Sequence, residues 1–121
     1  MILGLHHAQV TVPIAMEEAA IEFYSQVLEL PEIEKPDSLK DRGGTWFQLG
    51  HQQLHLSIED GVNRRATKAH LAYLVDDLNE WRDRLLANEI TPIESIPIPG
   101  FDRFEARDPF GNRIEFIQRV G

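Results

Sequence analysis

Four side chains able to bind a borderline divalent metal, His7, His55, His70 and Glu115, stand in segments of the same apolar and polar pattern. In Asn112-Arg113-Ile114-Glu115-Phe116-Ile117 the acid lies between two large apolar residues. The alternation that buries Ile114 and Phe116 in a strand turns Glu115 to the opposite face. His55 has the same setting between Leu54 and Leu56, and His7 shares a phase with Gln9 and Thr11, opposite Ala8, Val10 and Val12. His70 opens the run His70-Leu71-Ala72-Tyr73-Leu74-Val75. The chain has no cysteine, so imidazole and carboxylate are its only strong metal donors. Three imidazoles and one carboxylate suit one divalent ion such as Zn, Ni, Co, Fe or Mn, with positions left open for substrate oxygens. Any one such histidine is more often an ordinary strand residue; the conjunction on four strands points to a single metal site.

The elements that must carry these residues read in order. Leu5 to Val12 alternates as a half-buried strand closed by Pro13. Met16 to Leu30 places Ala19 or Ala20, Phe23, Val27 and Leu30 at helical spacing before Pro31. Glu32 to Arg42 reads as a short strand and a polar connection, and strands follow at Thr45 to Leu49 and Gln53 to Ile58. The polar stretch Asp60 to Thr67 is the linker candidate. The order then repeats: a strand from His70, a helix capped by Asp76 or Asp77 with Leu78, Trp81, Leu85 and Leu86 as its stripe, a short strand in Ile90 to Pro99, and Phe101 to Arg107 joined through Asp108-Pro109-Phe110-Gly111 to the last strand. His7 and His70 are 63 positions apart and His55 and Glu115 are 60 apart, which a three-residue loop difference reconciles as an internal duplication. His6 shares the apolar phase of Ala8 and reads as structural; His51 falls in a turn.

At 121 residues and 42% hydrophobic composition the chain is one domain's worth of core. The expected boundaries are a first module over 1–59, a linker over 60–67 and a second module over 68–121. A net charge of -8 argues against nucleic acid and anionic membrane surfaces as partners. No apolar run approaches a membrane span and no signal segment is evident, so the expected location is the cytoplasm.

The pattern His-x-x-Val-x-Val, the segment Phe-Tyr-Ser-Gln-Val-Leu-Glu-Leu, then Ala-His-Leu-Ala-Tyr-Leu-Val-Asp-Asp-Leu and finally Asp-Pro-Phe-Gly-Asn-Arg-Ile-Glu-Phe resemble the vicinal oxygen chelate superfamily over nearly the whole chain. That superfamily includes glyoxalase I, methylmalonyl-CoA epimerase, extradiol dioxygenases, fosfomycin-resistance transferases and metal-free bleomycin-resistance binders. The resemblance implies an α+β fold of two tandem βαβββ modules whose curled mixed sheets form a metal-binding cleft. It places His7, His70 and Glu115 on the histidine, histidine and carboxylate ligands, and His55 where glyoxalase-like members have a fourth.

The function implied is Lewis-acid stabilisation of an enediolate or alkoxide on a small substrate with adjacent oxygens, in a lyase, isomerase or dioxygenase-like enzyme. Glu115 and His55 are the candidate bases. Arg103, Gln48 and Trp46 are the candidate substrate contacts, although Arg103 reads equally well as part of an ion-pair ladder with Glu105 and Arg107. The alternatives are a non-catalytic binder of the bleomycin-resistance type, which generally lacks the ligand set, and a fosfomycin-type thiol transferase, for which no lysine and serine cluster is found in Ile90 to Arg103. The partners expected are a small molecule and a second copy of the chain in a homodimer.

Overall fold

The computed structural model describes residues 1–121, which resolve into two compact units, Met1–Val62 and Asn63–Gly121. In the first, β1 (His7–Val12) leads through a short 3-10 turn into α1 (Glu17–Glu22), followed by β2 (Glu32–Ile33), β3 (Thr45–Leu49) and β4 (Gln52–Ile58). The second repeats that plan with β5 (His70–Leu74), α2 (Leu78–Ala87), β6 (Ile93–Glu94), β7 (Phe101–Arg107) and β8 (Arg113–Arg119). The sheet orders are β1-β4-β3-β2 and β5-β8-β7-β6, each with one parallel pair at the edge and an antiparallel meander beside it. Each unit is therefore a βαβββ module on an α+β plan. Neither sheet closes on itself, so each keeps two edge strands.

Period two decides what each strand buries. In β4, Leu54 and Leu56 go to the core with Phe47 of β3, under Ala20, Phe23, Tyr24 and Leu28 of the helical segment. In β8, Ile114 and Phe116 do the same with Phe104, Tyr73, Leu78 and Leu85. Trp81 of α2 stacks on Phe116 with ring centroids 5.2 Å apart, so it is a packing residue. Each large side chain so buried is worth roughly 1.5–3 kcal/mol. The helix-distal face of each sheet is left to the polar phase that carries the candidate ligands.

The structure departs from the sequence reading in four places. The helix expected from Met16 to Leu30 is a composite: α1 passes into a π-turn over Phe23–Val27, with the Leu28 amide donating to the Phe23 carbonyl at 3.1 Å. The extra residue brings adjacent Phe23 and Tyr24 into the core together. The first strand begins at His7, not Leu5, so His6 is exposed and not packed. The last strand runs to Arg119, beyond Ile117. The connection after Asp60 includes a 3-10 turn over Arg64–Ala66, whose Arg64 is buried and whose carbonyl accepts from Arg107 Nη1 at 3.3 Å.

Asp77 caps α2 by accepting from the Glu80 amide at 3.2 Å, as the sequence suggested. Both helical segments end in a glutamate with a left-handed backbone, Glu29 at φ 59 and Glu89 at φ 63, a repeated feature of the duplication. Gly44, at φ 79, is required by space as well as conformation, because a Cβ there would collide with the Leu56 carbonyl.

Candidate functional site

In the first unit the parallel register sets Gln9 beside His55 and the antiparallel register sets Trp46 opposite it. The result on the helix-distal face is a three-ring stack. His55 lies 3.9 Å from Trp46 and 4.1 Å from His7, nearly parallel to both. His55 Nε2 donates to Gln53 Oε1 at 2.9 Å, which fixes the ring and leaves Nδ1 as its acceptor nitrogen. Burial pushes the His55 pKa down, and His7, His6 and Lys35 add to that in the same direction, so the ring is held neutral. His7 is exposed, and its Nδ1 lies 3.0 Å from His6 Nδ1, leaving Nε2 free. Gln48 turns away from this stack: its Nε2 donates to the Gly50 and Gln52 carbonyls at 2.7 and 3.1 Å and clamps the β3–β4 hairpin.

The second unit builds the equivalent face from ions. Glu115, only 4% exposed, accepts from Arg103 Nη1 at 3.0 Å on one carboxylate oxygen, and the same oxygen lies 3.2 Å from His70 Nε2. His70 Nδ1 meets the Lys68 carbonyl at 2.9 Å, which holds a proton on that nitrogen and turns Nε2 towards the acid. Arg103 also donates through Nε to the Ile96 carbonyl at 2.9 Å, so its guanidinium is fixed at both ends. Behind it Arg113 Nη2 holds Glu105 at 2.6 Å, and that hydrogen bond keeps the Glu105 carboxyl below its ordinary range. Arg113 Nε is buried with no partner. Arg107 is not in this chain of charges; its Nη1 donates to the Arg64 and Gly111 carbonyls at 3.3 and 3.1 Å.

The candidate ligands thus fall as pairs, His7 with His55 and His70 with Glu115, and neither unit by itself gathers three or more histidine or acidic side chains into a metal cage. The donors fit a borderline divalent ion: His70 presents a nitrogen whose opposite N–H is anchored on a carbonyl, and the second oxygen of Glu115 is left without a partner. The face expected to be open is closed at two points, because Glu115 is covered by its own donors and His55 by aromatic neighbours. Gln53 was not singled out from the sequence, yet its place two residues before His55 on the same strand phase was the available signal. The Lys68 carbonyl, a backbone group, left no signal at all.

No helix is long and apolar enough to cross a membrane. No curated protein matches the chain significantly. Among solved structures, a protein described only as a glyoxalase family member from Bacillus anthracis is 40% identical over 99% of this chain and 98% of its own, with a TM-score of 0.89. The fold is shared with the fosfomycin resistance protein FosX of Listeria monocytogenes, 18% identical over 99% of this chain and 94% of that one at a TM-score of 0.78. It is shared as well with lactoylglutathione lyase of Agrobacterium tumefaciens, 23% identical over 98% and 95% at 0.73. The family profile of the glyoxalase/bleomycin resistance protein/dioxygenase superfamily matches residues 4–116, and the chain belongs to that superfamily.

Proposed function

We propose that His7, His55, His70 and Glu115 together hold one divalent metal, and that the chain is an enzyme acting on a small substrate with adjacent oxygens. The observation that carries this reading is the setting of His70: Nδ1–H is anchored on the Lys68 carbonyl and Nε2 is aimed at the Glu115 carboxylate. That is the outer support a ligating imidazole needs, and a pair of donors alone is too few for a stable site. An ion held there supplies Lewis acidity to two neighbouring substrate oxygens.

The protein's own groups do the rest. Arg103 fixes one oxygen of Glu115 and leaves the other to ligate or to take a proton. His55, held neutral and pinned by Gln53, keeps a basic nitrogen beside the flat wall of Trp46. A protein of the same fold supports the reading: a FosX variant was solved with Mn(II) and 1S,2S-dihydroxypropylphosphonic acid, a molecule with adjacent oxygens. The reaction proposed is of the lyase, isomerase or dioxygenase type.

The working unit proposed is a homodimer, because β1 and β5 are edge strands of their sheets; each module brings two donors only, so the site needs two modules, either within one chain or across a twofold axis, and the location proposed is the cytoplasm. A single-chain mass in sedimentation equilibrium would contradict the dimer. The metal reading is tested by uptake of Mn, Fe, Ni and Zn by untagged protein, measured by plasma emission. His7→Ala and Glu115→Ala, one from each module, should each abolish tight uptake with the fold retained, and His55→Ala should weaken it less. Uptake unchanged in both of the first two variants would refute the site and leave a metal-free binder.

A further inference from the structure

We propose that the cavity beside His7 and His55 receives the anionic end, carboxylate or phosphoryl, of the small molecule bound at this site, and that Lys35 and Arg42 hold it; this rests on reading those histidines as part of a substrate site. The cavity has a volume of about 450 Å³, within the range of small-molecule pockets. Its walls include Lys35, Arg42, His6, His7, Trp46 and His55, and no aspartate or glutamate lines it. For a chain of net charge -8 that is a local reversal of sign.

Asp41, beside Arg42, is exposed and does not line the cavity, and three other nearby acids are already committed. Glu34 and Asp37 both hold Lys40, at 3.0 and 2.8 Å. Glu17 Oε2 accepts from the Gly44 amide at 2.6 Å. Lys35 is placed by the backbone: its ammonium donates to the Gly43 carbonyl at 2.6 Å, which uses one of three N–H groups and leaves two for a ligand. That carbonyl is presented by a turn of two left-handed glycines, Gly43 at φ 75 and Gly44 at φ 79. A side chain at Gly43 would meet Ile58 Cδ1 at 2.7 Å, so the turn and the lysine it positions are tied to β4. Arg42, next to that turn, is exposed and forms no ion pair. A fixed ammonium and a free guanidinium beside a flat aromatic wall make a receptor for a compact anion.

The test uses full-length protein stripped of metal with a chelator, titrated with inorganic phosphate and separately with acetate at constant ionic strength, and followed by backbone amide shifts of residues 35–44. Saturable shifts are expected, weakened about tenfold or more in Lys35→Gln/Arg42→Gln. Lys68→Gln/Arg119→Gln, an equal change of charge at residues that do not line the cavity, should leave binding at the wild-type level. Saturation by phosphate alone selects a phosphoryl group, and saturation by acetate as well selects small anions generally; either supports the proposal. Shifts that never saturate, or a loss in Lys68→Gln/Arg119→Gln equal to that in Lys35→Gln/Arg42→Gln, overturn it. Metal uptake by Lys35→Gln/Arg42→Gln should match wild type, so failure here and failure of the metal site are read separately.

Discussion

The same position in the two modules carries opposite physics. Trp46 faces His55 across β3 and β4, and Glu105 faces Glu115 across β7 and β8. In the first module the result is a stack of rings about a desolvated His55; in the second it is a chain of alternating charges from Arg113 through Glu105 and Arg103 to Glu115, with His70 beside the last. One backbone plan therefore presents a pair of imidazoles against an aromatic wall and a carboxylate held by a guanidinium beside a third imidazole. A duplicated fold fixes where donors stand, while the residues opposite them decide their charge state.

The comparison breaks most sharply at the hairpins. Asp108, 1% exposed, accepts from the Phe110 and Asn112 amides at 3.0 and 2.8 Å and from Asn112 Nδ2 at 3.0 Å. Gln48 does the corresponding work in the first module from a more exposed position, by donating to carbonyls. Asp108→Ala strands buried amides and should cost about 3 kcal/mol, and Gln48→Ala at most about 1 kcal/mol, in denaturant unfolding. Equal losses would show that the two turns are not held in different ways.

The modules should also fail in different pH windows in metal-free protein. Both shifted groups have folded pKa values below their unfolded ones, so both contribute stability that is complete above the unfolded value and is lost as pH falls through the folded one. For His55 the loss begins below 6.5, and for Glu105 below 4.5. Midpoints measured across pH should lose their near-neutral slope in His55→Gln and their acid slope in Glu105→Gln. A near-neutral slope that survives in His55→Gln contradicts the desolvated His55.

Much of this was legible because alternation is a local property. The polar phase of β4 and β8 followed from Leu54, Leu56, Ile114 and Phe116 alone, and the final turn from Asp108-Pro109-Phe110-Gly111. The hold of Arg103 on Glu115 was not legible, because it depends on a register that places Arg103 opposite Ile117 and diagonal to the acid. The π-turn was hidden because one inserted residue barely alters helical spacing, and His6 was misplaced because sequence phase does not say where a strand starts.

The smallest effects sit in the second module's frame. The Tyr73 hydroxyl is buried without a partner, and burial with the nearby Asp108 pushes its pKa well above the usual phenol range. Tyr73→Phe should be neutral or stabilising by up to about 1 kcal/mol. Glu89→Gly, which relieves a left-handed glutamate, should gain about 0.5–1 kcal/mol, read as a raised unfolding midpoint. A loss of more than about 1 kcal/mol in Tyr73→Phe would reveal a hydroxyl partner, such as a buried water.

The central proposal is that the His7–His55 pair of one module and the His70–Glu115 pair of the other serve one ion. Pulsed electron paramagnetic resonance of Mn(II)-loaded protein, with histidine nitrogens isotopically labelled, counts the imidazoles bound to the metal directly. Couplings from both modules are predicted, with one nitrogen lost in His7→Ala and another in His70→Ala among whatever sites remain occupied at high metal. A spectrum insensitive to His7→Ala, with nitrogen coupling from His70 alone, would contradict it.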